Sequence, residues 1–351
     1  MRTPLCTLFG FNYLDKGLVL YESLERVASD FTLYVLAMDD DCYAYLEKRR
    51  SERLVPIALA EFENEALLRA KADRPFGEYC WTCSSSLIKY VLDRNGEPAC
   101  AYVDADMCFY ADPALLFDEL AQKGGSVLLT GHRFHRYERE QERKVGYFCV
   151  EFNLFLNDAP ARGALDTWIA QCLERCTISE TTWGDQKYLD GWTEKYPFVK
   201  ETAHPGAGVA PWNISRYRLH ARQGDGYLLK VKGSVAPLIF YHFQGIKYLE
   251  RDLVDMGLYF YWGIDKRFAG PLYRDYLQAL EKVKQEIAAE TGREVRIAAH
   301  PVLAPSKRPI GERLRSICNK IVTPSGWPHI FCFDLPKAVL RSRNLIRLES
   351  V

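Results

Sequence analysis

Over the first 130 residues, short apolar and β-branched runs alternate with segments whose apolar positions recur at helical spacing. Residues 5–9 (LCTLF) read as a strand, and residues 16–27, with Leu20, Leu24 and Val27 in phase, as the helix after it. Residues 31–38 (FTLYVLAM) and 54–59 predict the next strands, 63–71 and 79–92 helices, and 99–103 and 126–130 further strands. Beyond a charged stretch at 132–146, residues 147–156 read as a strand and 162–175 as a helix. Residues 235–243 read as the last core strand. Strands interleaved with helices predict an α/β fold: a mixed, mostly parallel sheet flanked by helices. Ligands of such sheets bind beyond the carboxyl ends of the strands. From about residue 249 the pattern turns aromatic and helical, notably at 272–289. The chain therefore divides into a domain over 1–250 and a mainly helical extension over 251–351.

Charge and cysteines narrow the class. The 351 residues carry 46 Lys+Arg and 46 Asp+Glu, without the basic excess of a general nucleic-acid binder. No apolar run approaches the ~20 residues of a membrane span. The first residues lack the basic and apolar regions of a secretory leader. Eleven cysteines scattered through apolar segments fit reduced thiols in a cytoplasmic protein, with Cys80 and Cys83 as a weak zinc or dithiol alternative. Residues 304–351 carry a net charge of +6 together with Trp327 and several Ile and Leu. That composition suits either a peripheral contact with the inner face of a membrane or a packed extension with a solvated basic face.

The richest stretch is ACAYVDADMCFYADP, residues 99–113. Asp104 and Asp106 follow a buried strand. In extended backbone, residues two apart point to one side, so both carboxylates can face one ion. Hard oxygen ligands suit Mn²⁺ or Mg²⁺; the alternative is turn chemistry, in which aspartates accept local backbone hydrogen bonds. At the end of the last core strand, FYHFQGIK places His242 where it can complete a metal site, and Lys247 where it can neutralise a phosphate. A packed core imidazole and a solvated surface lysine are the alternatives.

Taken together, YVDAD after a strand, WGDQKYL at 183–189 and HFQGIK at 242–247 resemble the ordered signatures of GT-A-fold glycosyltransferases, above all retaining family 8. The opening CTLFGFNYLDKGLVLYESL is similar to that family's nucleotide-binding start. EYCWTCSSSLIKYVL and GVAPWNISRY resemble bacterial nucleotide-diphospho-sugar transferase-like proteins. The resemblance covers about residues 3–250. It implies a hexosyltransferase that uses a nucleoside diphosphate sugar, expected to be a UDP donor, with Mn²⁺ or Mg²⁺, and a glycan or lipid-linked acceptor, with retention of configuration. It gives Asp104, Asp106 and His242 to the metal, Asp104 also to the ribose, and Lys247 to the diphosphate. Phe9, Asn12 and Tyr13 fall in the base and ribose loop, and Asp185 and Gln186 near the donor sugar.

Three departures stand out. Lys247 comes one residue early. Ser86 stands where many members have an arginine, leaving Lys89 or Arg74 to substitute. Glu151 replaces a glycine, and reads as a sugar ligand, base or nucleophile, or as a polar residue on an outward strand face. Trp183, Trp212 and Tyr217 read as sugar-stacking aromatics or as core. The competing classes are a sugar nucleotidyltransferase, which would be expected to carry a basic Gly-rich loop absent from FGFNYL, and a non-catalytic nucleotide- or glycan-binding module.

Overall fold

The structure is a computed structural model that describes residues 2–135, 139–248, 253–258, 264–295 and 345–347. β1 (Thr3–Phe9) turns into α1 (Leu14–Val27), followed by β2 (Phe31–Ala37), α2 (Asp40–Glu47) and β3 (Leu54–Ala58). Next come α3 (Leu59–Phe62), α4 (Glu65–Asp73), α5 (Phe76–Arg94), β4 (Ala99–Val103) and β5 (Met107–Phe109). The middle of the chain forms α6 (Ala114–Gln122), β6 (Val127–Gly131), α7 (Arg139–Val145), β7 (Phe148–Leu156), α8 (Ala159–Glu174), α9 (Trp192–Lys195) and β8 (Val199–Glu201). Then follow β9 (Arg218–Gln223), β10 (Gly226–Val231), β11 (Ser234–Pro237), β12 (Phe240–His242), β13 (Lys247–Tyr248), β14 (Leu253–Asp255), α10 (Lys266–Thr291) and β15 (Leu345–Arg347).

The central sheet has seven strands in the order β3-β2-β1-β4-β7-β6-β8. Its pairings are parallel except those of β7, which runs against both β4 and β6. This is the expected mixed, mostly parallel sheet. Every residue of β1 and β2 is buried, as a strand covered on both faces requires. The two faces alternate along each strand. Leu5, Leu33 and Val103 pack on the α1 and α10 side, whereas Cys6, Tyr34 and Tyr102 pack on the side of α5 and α8. Helix starts carry their own signals. The Asp39 carboxylate accepts from the Cys42 amide at the start of α2, and Asn64 and Asp158 cap α4 and α8 in the same way.

One expectation changes. The run at 235–243 is not one core strand. It is divided between β11, which ends an exposed antiparallel meander β9-β10-β11, and β12, which pairs with β5 outside the central sheet. The helical extension read after residue 250 contains α10, which packs on the rest of the chain. Phe268, Leu272, Tyr276, Leu280, Val283 and Ile287 are buried in the same core cluster as α1 and β12. The core thus continues across the boundary read near residue 250. The basic tail lies outside the described residues apart from β15. No helix among the described residues is long and apolar enough to cross a membrane.

Candidate metal centre

The site assembles at the carboxyl end of β4. After Val103 the chain turns through Asp104-Ala105-Asp106 into β5. Two neighbours fix this turn. β12 pairs antiparallel with β5 and sets His242 opposite Met107, and the Phe243 amide donates to the Asp106 carbonyl at 2.8 Å. On the other side β7 pairs with β4, and the Asp104 amide reaches the Glu151 carbonyl at 3.3 Å. Sheet pairing alone thus brings together residues far apart in the sequence.

His242 lies at the centre. Its Nε2 is 3.1 Å from Asp106 Oδ1 and 3.8 Å from Asp104 Oδ2, and its Nδ1 is 2.9 Å from Glu151 Oε2. Trp212 meets the imidazole edge-on, with ring centroids 5.4 Å apart. Burial works to raise Asp106, but the charge and hydrogen bond of His242, with help from Lys16, outweigh it and hold the carboxyl at about 2. Burial, only partly opposed by His242, pushes Asp104 up to about 7. Burial disfavours the His242 cation, yet the Asp106 charge and the surrounding hydrogen bonds drive its pKa well up. An acidic pocket held together by a proton on an imidazole is a natural cation site.

The donor set fits a divalent ion. Two ligand atoms at ~2.1 Å from one octahedral ion stand ~3.0 Å apart, close to the Asp106–His242 separation of 3.1 Å. Two carboxylates and one imidazole suit Mn²⁺ or Mg²⁺. Cys149, Glu151 and His242 also lie within 4.8 Å of one another, on the Nδ1 side. That side fits less well. Burial pushes the Cys149 thiol up to about 12, and an ion there would break the Glu151–His242 hydrogen bond.

Glu151 is fully buried rather than on an outward strand face. Its Oε2 orients the imidazole from behind, an arrangement typical of metal-binding histidines. It therefore has no open path to a sugar in this structure.

The other expected residues divide. Asp185 is buried near Asp104. It accepts a hydrogen bond from Ser84 Oγ, and burial pushes it up to about 6. Gln186 turns away, donating to the Val145 carbonyl at 2.8 Å. Asn12 and Tyr13 are exposed in the short turn just before α1. Phe9 is not: its ring fills the space a Cβ on Gly17 would need, 2.2 Å away, which makes it a packing residue under α1. Lys89 is drawn onto Asp166 at 2.9 Å, and Arg74 binds Thr82 and the Cys172 and Leu173 carbonyls, so neither replaces the missing arginine. Lys247 is exposed on β13. Trp212 and Tyr217 are core residues, whereas Trp183 is partly exposed beneath the Lys144 ammonium. The nine cysteines among the described residues are all free thiols.

Sequence reasoning missed Lys16. It lies on α1, one turn after Tyr13, with its ammonium 3.5 Å from the centre of that ring, and its charge and that of Asp106 act on each other. The position of a lysine one helical turn after the expected base-binding tyrosine was the available signal.

No protein-family model matches the sequence. The uncharacterized Bacillus subtilis (strain 168) protein YfnF is 34% identical over 256 residues, covering 70% of this chain and 82% of YfnF. YfnD of the same organism is 31% identical over 287 residues, covering 80% and 89%. Among solved structures, the galactosyltransferase LgtC in complex with donor and acceptor sugar analogues superposes with a TM-score of 0.50 at 15% identity, covering 82% of this chain and all of LgtC. An active-site mutant of LgtC, with glutamate in place of a glutamine, gives 0.53 at the same identity and coverage. The fold is accordingly that of GT-A glycosyltransferases. The chain belongs to the family of YfnF and YfnD.

Proposed function

We propose that the protein is a metal-dependent glycosyltransferase that moves a hexose-type sugar from a nucleoside diphosphate, UDP in the first instance, to a glycan or lipid-linked acceptor. The observation that carries this reading is the meeting of Asp104, Asp106 and His242 Nε2 at the carboxyl end of β4. A pure binding module has no need of an acid pair held by a histidine whose other nitrogen is locked by a buried glutamate.

Asp104, Asp106 and His242 would hold the ion. When bound, Mn²⁺ or Mg²⁺ would offset the negative charge that develops on the departing diphosphate. The protein's own groups do the rest. Glu151 fixes the His242 ring. Asn12 and Tyr13 flank the base and ribose, and Lys247 serves the diphosphate from β13. Asp185, held by Ser84 and close enough to act on Asp104, would serve the donor sugar. In the transfer, the bond from the anomeric carbon to the diphosphate oxygen breaks and its electron pair leaves with the diphosphate. The acceptor oxygen bonds to the same carbon, and its proton passes to the departing diphosphate oxygen. Orientation of the acceptor and exclusion of water favour transfer over hydrolysis. Retention of configuration remains part of the proposal through the family 8 resemblance. So does a contact of the basic tail with anionic lipid at the inner membrane face of the cytoplasm.

A panel of UDP-, GDP- and CDP-sugars, assayed for diphosphate release with Mn²⁺ and with EDTA, tests the reading. One donor is expected to turn over, with loss of turnover in EDTA and a fall of about 100-fold or more in Asp106→Asn. Donor binding unchanged by EDTA and by Asp106→Asn would instead favour a non-catalytic module.

A further inference from the structure

The departing diphosphate gains a negative charge as its bond to the sugar breaks, and an ion held by Asp104, Asp106 and His242 would offset only part of it. Lys247, exposed on β13, is one cation for the rest; most of the others that the sequence offers are engaged elsewhere. Lys89 is paired with Asp166 and Asp93, and Arg74 with Thr82 and backbone carbonyls. Lys284 pairs with Glu281 at 2.9 Å, and Lys187 donates to the Arg143 and Lys144 carbonyls. Lys16 differs: its ammonium rests on the Tyr13 ring, with no carboxylate within 4 Å among the described residues.

We propose that Lys16 is a second positioning cation for the diphosphate, beside Lys247, moving from the face of Tyr13 onto the phosphate oxygens when the nucleotide enters. The proposal rests on the transferase reading above.

Three features support it. Lys16 is on the first turns of α1, directly after the exposed Asn12-Tyr13 loop. The charges that act on it are Asp106, then Asp15, with Lys284 opposing, so a metal-side carboxylate is its strongest electrostatic partner. Its contact with Tyr13 is a cation–π interaction, which at a partly exposed site is worth only about 1 kcal/mol and is readily exchanged for a phosphate. Occupation of Asp106 by an ion would also remove the attraction that now holds Lys16 on that side. The ammonium and the divalent ion therefore compete for the carboxylate but cooperate on the diphosphate.

This predicts opposite effects on two ligands, both measurable without turnover. In Lys16→Gln, Mn²⁺ alone should bind as in the parent or a few-fold tighter, since a like charge is gone. Inorganic pyrophosphate added to the Mn²⁺-loaded protein should bind about 10-fold more weakly, as loss of one charge-assisted contact implies. Lys16→Arg should restore most of the pyrophosphate affinity, and Lys89→Gln should leave both ligands unaffected. Calorimetry with each ligand in turn reads these constants. Equal pyrophosphate affinity in Lys16→Gln and the parent overturns the assignment while leaving the transferase reading intact. An equal loss of Mn²⁺ and pyrophosphate marks a structural defect and also overturns it. Failure of the parent to bind Mn²⁺ removes both this proposal and the reading beneath it.

Discussion

The hydrogen bond between His242 Nδ1 and Glu151 Oε2 decides which imidazole nitrogen faces the two aspartates. Replacing Glu151 by Gln keeps an acceptor but weakens it. Mn²⁺ affinity should then fall about 10-fold or more, with the fold retained, as direct Mn²⁺ titration would show. A second histidine gives a pH prediction. His132 is buried beside Phe134 and Trp212, and burial lowers its pKa to about 4. The unfolded chain holds a proton on it below about 6.5, whereas the folded chain does not until about 4. The His132 contribution to stability therefore falls as pH drops through that window, by on the order of 3 kcal/mol in all. Asp104, raised to about 7, and Asp185, raised to about 6, work in the opposite direction. The measurement is thus a difference: unfolding of the parent and of His132→Gln at pH 7.5 and pH 5, with the parent losing more. These residues also show what a sequence can reveal. Asp104, Asp106 and His242 announce themselves through type and position at strand ends. Glu151 does not, because its meaning lies in the ring behind it, and Lys16 looks like any lysine on the first turn of a helix.

At the scale of elements, the site depends on where β12 is held. The Gly206 carbonyl accepts from the amides of Ile239 and Phe240, and a Cβ on Gly206 would lie 1.8 Å from the Pro237 carbonyl oxygen. That obstacle is backbone and cannot swing aside. Gly206→Ala should push the start of β12 outward, costing about 1–3 kcal/mol or more, and should weaken Mn²⁺ binding because His242 travels with the strand. Chemical denaturation and Mn²⁺ titration of the same variant check both. If stability falls but Mn²⁺ affinity holds, β12 is not what positions His242. The buried strands β1, β2 and β4 were legible because both their faces are covered and their sequences are continuous apolar runs. The meander β9-β10-β11 was not: β9 (RLHARQ) is mostly polar, and across the three short strands only Tyr227, Leu229 and Ala236 are buried, so the period-2 contrast is slight. The run at 235–243 misled because hydrophobicity alone cannot show that Pro237 ends one pairing before Phe240 begins another.

For the whole molecule, the question is whether the helix after residue 250 is an appendage or a wall of the site. Phe243, next to His242, stacks face to face on Tyr276 of α10, with centroids 3.7 Å apart and planes within 2°. The Tyr241 and Tyr273 hydroxyls meet at 3.0 Å on the same interface. β12 therefore has the acid pair on one side and α10 on the other. Truncating Tyr276 to Ala removes a fully buried ring and should cost about 3–5 kcal/mol. It should also lower Mn²⁺ affinity by freeing the strand that carries His242. Tyr276→Phe separates the ring from its hydroxyl, which is buried without a hydrogen-bond partner among the described residues. That variant should hold or gain stability, by up to about 1–2 kcal/mol, and keep its Mn²⁺ affinity. Thermal unfolding of the parent should show one transition, shifted as a whole in Tyr276→Ala. Two separate transitions, with only the minor one moved, would instead make α10 an independent unit resting on a domain that folds and binds an ion without it.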